Sequence, residues 1–200
     1  MAGTPLPESV ELLDKLVAAL KRRGVLVEED IQRCQTQAER AKPETGARMV
    51  ARAWLDPEFR TLMLRDGTAA AESFGVAMKG APPLGVLEDT DRLHHLVVCT
   101  LCSCYPRAVI GYPPHWYKSA AYRARAVREP RAVLAEFGTV LPAGVQVRVV
   151  DSTADYRWMV LPTRPPGTEG WSEEELAAIV TRDCLVGVTL PQAEKRQAAA

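Results

Sequence analysis

Residues 97 to 104 read Val-Val-Cys-Thr-Leu-Cys-Ser-Cys, which puts three of the chain's five cysteines within six positions, behind a short apolar run. Two residues separate Cys99 from Cys102, so one tight turn can aim both sulfurs at a single centre. Only Ser103 separates Cys102 from Cys104, and in extended backbone that spacing leaves both side chains on one side. Three sulfur ligands can therefore come from one short loop. The peptide nitrogens of Ser103 and Cys104 are carried close to whatever those sulfurs hold.

Such a cluster has few uses. A disulfide with a spare thiol fits poorly, because cysteines this close make tiny strained rings and confine the unfolded chain little. A structural zinc site normally takes four ligands. No second Cys-x-x-Cys exists, which leaves His94, His95 and His115 as candidates; His94 and His95 alternate faces, so at most one of them could join. An iron–sulfur cluster wants four cysteines, and Cys34 and Cys184 stand far apart in the chain. The remaining arrangement is a claw in which thiolates and main-chain amide nitrogens share a trivalent, inert ion. Co(III) and Fe(III) are strong enough Lewis acids to displace amide protons. Spacing alone leaves zinc and the claw both open.

The hexapeptide Cys99-Thr-Leu-Cys-Ser-Cys104 resembles the metal claw of the nitrile hydratase α-subunit family, which includes the γ subunit of thiocyanate hydrolase. The similarity extends to Tyr112-Pro-Pro-His-Trp-Tyr-Lys-Ser119, Tyr122-Arg-Ala-Arg125, Val127-Arg-Glu-Pro-Arg131 and Leu134-Ala-Glu-Phe-Gly138. It continues through Met159-Val-Leu-Pro162, Arg164-Pro-Pro-Gly-Thr-Glu-Gly-Trp171 and Val180-Thr-Arg-Asp183, with Ala53-Trp54 and Asp56-Pro57 near the start. It spans nearly the whole chain.

By this resemblance Cys99, Cys102 and Cys104 supply sulfur ligands, and the Ser103 and Cys104 amide nitrogens complete the protein's share. One Co(III) per chain is implied, since Thr100 matches the cobalt branch where the iron branch tends to carry serine; Fe(III) is the alternative. Cys102 is expected as sulfinate and Cys104 as sulfenate, modifications that suit metal-bound, accessible sulfurs. Cys104 and Arg107 are the candidate catalytic residues, with Asp151 and Arg157 supporting the site. The implied activity is addition of water to a nitrile to give an amide, with the metal acting as a Lewis acid. Thiocyanate hydrolysis to carbonyl sulfide and ammonia is the alternative, and a non-catalytic zinc-binding module stands as the reading from another class.

The implied partners are a β subunit, as one chain or split into two, a cobalt-insertion activator protein, and a small nitrile or thiocyanate as substrate. Two departures bear on substrate. Family members usually carry tryptophan three residues beyond the last claw cysteine, and here that residue is Arg107. The stretch Met78-Lys-Gly-Ala-Pro-Pro-Leu84 lacks a glutamine that members usually carry. A guanidinium in place of an aromatic wall favours a polar, bulky or anionic substrate.

Composition narrows the setting. Twenty-five basic and 25 acidic residues give zero formal net charge, so no field draws the chain to nucleic acid or anionic lipid. No run reaches membrane-spanning length and the N-terminus has no signal-like apolar core. A cytoplasmic location is the expectation, in keeping with thiols held for a metal.

The periodicity predicts an α+β fold, an N-terminal helical arm and then a layered core of strands and helices, and the resemblance implies that this core is the α-β-β-α core of the nitrile hydratase α-subunit type. Residues 1-43 are read as the arm, 44-85 as a helical linker region and 86-200 as the claw-bearing core domain. Helices are expected over 7–23, ending at Gly24, and over 28–41; this pair is expected to embrace another subunit. Further helices are expected over 44–54, over 58–73 with a break at Asp66-Gly67, and over 114–128, 131–137 and 172–181. The last opens with a Ser172/Glu175 capping box. Residues 75–85 read as a loop and 93–98 as the strand feeding the claw. Strands 145–150 and 156–161 are expected to pair with each other around 152–154, with a closing strand over 184–190. One of His94 and His95 is expected to be buried and the other exposed, Cys34 and Cys184 to be packing thiols, and the alanine-rich tail to fray.

Overall fold

The computed structural model describes residues 7–193, and the alanine-rich tail lies outside them. The described chain divides into two compact units, one ending at Arg40 and one beginning at Ala41. The first is a helical pair, α1 (Pro7–Arg22) and α2 (Glu28–Arg40). Gly24 turns between them with φ +64°, a left-handed conformation that glycine adopts without steric cost. Leu12, Leu13 and Leu16 lie exposed on α1. Cys34 is also exposed, so the packing role expected of it is not met within this chain.

The second unit is the α-β-β-α core. Three helices come first: α3 (Pro43–Leu55), α4 (Pro57–Arg65) and α5 (Gly67–Ser73). Asp56 caps α4 by accepting from the Glu58 and Phe59 amides, and Asp66 caps α5 from the Ala69 amide. Each cap satisfies amide donors at the start of a helix that the helix itself leaves unpaired. The break read at Asp66-Gly67 is therefore a helix restart. Met49, Val50 and Met63 on α3 and α4 are fully buried in the common core.

The strands follow: β1 (Leu84–Glu88), β2 (Leu93–Val98), β3 (Gln146–Asp151) and β4 (Arg157–Leu161). They form two parallel pairs, β1 with β4 and β2 with β3. The expected β3–β4 hairpin does not form. The turn between them does close, through a hydrogen bond from the Thr153 amide to the Tyr156 carbonyl. Beyond it the two strands separate to different partners earlier in the chain, β3 to β2 and β4 to β1. β1 falls at the end of the stretch read as loop, where Pro82 and Pro83 mask a short strand.

Next come the short α6 (Arg107–Ile110), which packs on α3, and α7 (His115–Lys118), then α8 (Ala120–Arg128) against β2 and α9 (Pro130–Glu136) against β3. The helix expected over 114–128 is interrupted at Ser119, which leaves one helix and caps the next through the Tyr122 amide. Trp116 stacks edge-on against Tyr117, Tyr122 and Phe137 in one aromatic cluster. α10 (Glu173–Ala178) opens with the complete Ser172/Glu175 capping box. The expected closing strand is instead a 3-10 turn, Cys184–Val186, ended by Gly187 in a left-handed conformation. Cys184 is buried there, as expected of a packing thiol. No helix among the described residues is long and apolar enough to cross a membrane.

His94 and His95 are both buried, against the expectation of one exposed, because Asp89 takes one from each side. Oδ1 of Asp89 accepts from the His95 amide at 2.8 Å and lies 3.0 Å from His95 Nδ1. His94 Nδ1 sits 2.9 Å from Oδ2, too poorly aligned for a good hydrogen bond, so that contact is chiefly electrostatic. His94 Nε2 is 2.7 Å from the Gly187 carbonyl, which can only accept. Acceptor oxygens thus face both ring nitrogens of His94 and favour its protonated form. Burial alone would favour neutral forms, yet the ring donors hold the Asp89 carboxyl below its ordinary value, and Asp89 and Gly187 raise that of His94.

The signs set the pH window. The Asp89 contribution is present above the unfolded carboxyl value of 3.8 and is lost as pH falls through its depressed value. The His94 contribution is complete below 6.5 and is lost as pH rises through its raised value. Asp89→Asn should destabilise the chain by about 3 kcal/mol, since it leaves a buried cation unpaired. Denaturant unfolding across pH should show stability falling at both ends in the parent and a flatter profile in the variant.

Candidate metal centre

The cysteine loop leaves the carboxyl end of β2. Parallel pairing with β3 is what completes it: the register sets Val98 opposite Asp151, so Asp151 arrives beside the loop's first turn. Its Oδ1 accepts from the Thr100 amide at 3.0 Å, and its Oδ2 accepts from the Thr100 hydroxyl. The other side of the turn is held from α8. Nη1 of Arg123 donates to the Leu101 carbonyl at 2.7 Å and the Thr100 carbonyl at 3.3 Å. Tyr122 anchors the strand below, donating to the Val97 carbonyl at 2.8 Å, and Tyr117 anchors the exit, donating to the Cys104 carbonyl at 2.9 Å.

Held this way, the three sulfurs converge. Cys99 Sγ lies 3.6 Å from Cys102 Sγ, which lies 3.4 Å from Cys104 Sγ. All three fall within 4.8 Å of one another, and all are free thiols. With metal–sulfur bonds of about 2.3 Å, sulfurs at right angles stand about 3.3 Å apart and tetrahedral ones about 3.8 Å. The observed separations therefore fit one ion bound by all three. Among the described residues no His, Asp or Glu joins the group. His94 and His95, weighed from the sequence as a fourth zinc ligand, are engaged by Asp89 and Gly187 instead. The nearest remaining donors are main-chain nitrogens of the loop itself.

The metal-free thiols are unequal. Hydrogen bonds from the Cys104 thiol and the Ser103 amide draw Cys102 down to about 7, while burial and the neighbouring sulfurs push Cys104 up to about 12. Cys102 thus gives up its proton ahead of Cys104. Placing charge on the others requires a cation among them.

Cys102 and Cys104 open onto a cleft of roughly 410 Å3, lined also by Ser103, Arg107 and Arg157, with Cys99 buried behind them. The stretch from Met78 to Leu84 forms its far wall, through Met78, Ala81, Pro82 and Leu84. Arg157, the first residue of β4, keeps Nη1 buried without a partner, and its charge favours the Cys104 thiolate. Thus Cys99, Cys102, Ser103, Cys104, Arg107, Asp151 and Arg157 all fall at one place. Sequence reading missed the parts played by Arg123, Tyr117 and Tyr122. Arg123 lies in a run of arginines, Arg123, Arg125, Arg128 and Arg131, of which Arg125 alone pairs with acids among the described residues, with Glu129 and Glu136.

An α-β-β-α core that presents three convergent thiols at its strand ends, beside a cleft bordered by arginines, is the framework of a thiolate metal-binding subunit. The model of the nitrile hydratase alpha chain matches residues 8–189. Thiocyanate hydrolase subunit gamma of Thiobacillus thioparus is 46% identical over 203 residues, covering 94% of this chain and 84% of that protein. The alpha subunit of the low-molecular weight cobalt-containing nitrile hydratase of Rhodococcus rhodochrous is 55% identical over 149 residues, covering 74% of this chain and 72% of that one. The crystal structure of an arginine-to-tryptophan variant of thiocyanate hydrolase superposes with a TM-score of 0.88 at 43% identity, covering 94% of this chain and 92% of that one. The chain belongs to the nitrile hydratase alpha-chain family.

Thr100→Val removes one of the two donors to Asp151 and should cost about 1 kcal/mol. Asp151→Ala leaves both donors unanswered and should lower metal content further than Thr100→Val. Thermal unfolding of the metal-free chain and metal analysis of the loaded protein check the order.

Proposed function

We propose that this chain is the metal-bearing subunit of a cobalt nitrile hydratase that adds water to a polar or bulky nitrile to give an amide. The observation that carries the reading is the convergence of the Cys99, Cys102 and Cys104 sulfurs at the head of one cleft. Its roughly 410 Å3, in this subunit alone, is the size of pockets that take ligands of many atoms. The three sulfurs, with the Ser103 and Cys104 amide nitrogens, would hold one Co(III), or Fe(III) as the alternative. The ion supplies Lewis acidity toward a nitrile or a water.

The chain's own residues do the rest. Cys99, 1% exposed, is shielded from solvent and suits an unmodified thiolate. Cys102 is exposed and Cys104 half-exposed, open to oxidation to sulfinate and sulfenate respectively. An oxygen on Cys104 Sγ would face the cleft as base or nucleophile. Arg157 is placed to balance the anionic charge those oxygens add, and Asp151 holds the loop's first turn. The partner is a β subunit, in one chain or two, and an activator protein inserts cobalt. A cytoplasmic location suits the free thiols.

Thiocyanate hydrolysis is the second reading. It is favoured by Arg107, a cation at the cleft wall, and by the likeness to the thiocyanate hydrolase subunit across 94% of the chain. A zinc module is disfavoured by the lack of a fourth ligating side chain among the described residues.

Intact mass and metal analysis of the assembled complex should find about one cobalt per chain, two oxygens on Cys102 and one on Cys104. Assays should give amide from nitriles; carbonyl sulfide and ammonia from thiocyanate alone would select the second reading. Cys104→Ala should abolish turnover while partner binding persists, and full activity in that variant would defeat the mechanism.

A further inference from the structure

Arg107 is exposed at the wall of the cleft, and no carboxylate pairs with it among the described residues. What holds it is a ring. Its guanidinium carbon lies over Tyr112 at 5.4 Å from the ring centroid. The arrangement is built into the backbone. Arg107 opens α6, whose last turn closes when the Gly111 amide donates to the Arg107 carbonyl at 3.0 Å. Gly111 then reverses the chain with φ +75°, and a Cβ there would meet the Ala41 carbonyl oxygen at 2.7 Å. That turn is closed to other residues, and Pro113 and Pro114 stiffen the chain beyond it. Tyr112 is thereby delivered beneath Arg107, with the ring 60% exposed and carrying no core packing of its own.

A guanidinium carries its N–H donors along a planar edge, and beside the Tyr112 ring no carboxylate takes that edge among the described residues. Such an edge matches a planar, two-oxygen acceptor. We infer that Arg107 on Tyr112 forms an anion subsite at the cleft wall, which takes a carboxylate at the far end of a nitrile substrate. Tyr112 is the positioning residue of this subsite. The inference rests on the nitrile hydratase reading.

The test compares 3-cyanopropanoate with neutral pentanenitrile on the cobalt-loaded complex. The KM for the anion should be the lower one. Tyr112→Leu should raise the anion's KM by about three- to tenfold relative to that of the neutral nitrile, the span of a partly exposed cation–π contact. Tyr112→Phe, which keeps the ring, should restore the parent ratio, and Arg107→Trp should invert the preference. If Tyr112→Leu leaves the ratio unchanged, the subsite does not exist and Arg107 serves another contact, such as a carboxylate on the partner subunit. Should neither nitrile turn over while thiocyanate does, the nitrile reading fails by itself. The subsite is then judged on the KM for thiocyanate: a rise with Tyr112→Leu sustains it, and no change ends it.

Discussion

Thiols crowded within 4.8 Å resist joint ionisation, because each thiolate raises the cost of the next. The fold meets that resistance with restraint. The loop hangs between a carboxylate that accepts its amide and hydroxyl donors and an arginine that donates to its carbonyls. Two tyrosines fix its entrance and exit. The sulfurs are thus held together by hydrogen bonds from the scaffold, and an ion bound among them would offset the repulsion between thiolates. Preorganisation of this kind is what lets three ligands from six consecutive residues act as one site.

The parallel pairing of β2 with β3 is the element that makes such restraint available. In an antiparallel hairpin between β3 and β4, Asp151 would sit at a turn and face solvent. In the observed register it ends its strand level with Val98, one step from the first ligand. A second parallel pair brings Arg157 at the head of β4 to the same cleft. The site is therefore assembled where strand ends meet, a common place for ligand binding when loops leave the carboxyl edge of a parallel pair.

Much of this was legible in the sequence, and the boundary is instructive. The cysteine spacing, the Asp56 and Ser172 caps and the apolar run ahead of Cys99 are local signals, and each maps onto an element of the structure. Strand partners are not local. The turn at 152–154 does close, and this was enough to suggest a hairpin, yet long-range apolar pairing overrode it. Arg123 and Asp89 escaped notice for the same reason: their importance lies in carbonyls and rings that meet them only after folding. His94 and His95 alternate along the strand as expected, but a single buried carboxylate receives both, and no periodicity encodes that.

Gly187 carries a consequence for the order of events in the life of the molecule. A Cβ at this position would lie 1.9 Å from the His95 carbonyl oxygen, so the segment near the carboxyl end crosses β2 with almost no clearance, and its own carbonyl receives the ring of His94. The strand that feeds the first cysteine is thus locked by a residue 93 positions after His94. On a ribosome that strand would emerge long before its lock does. The ligand loop reaches its final shape only once the Gly187 segment has followed it out and packed against β2, and acquisition of the ion waits on that contact.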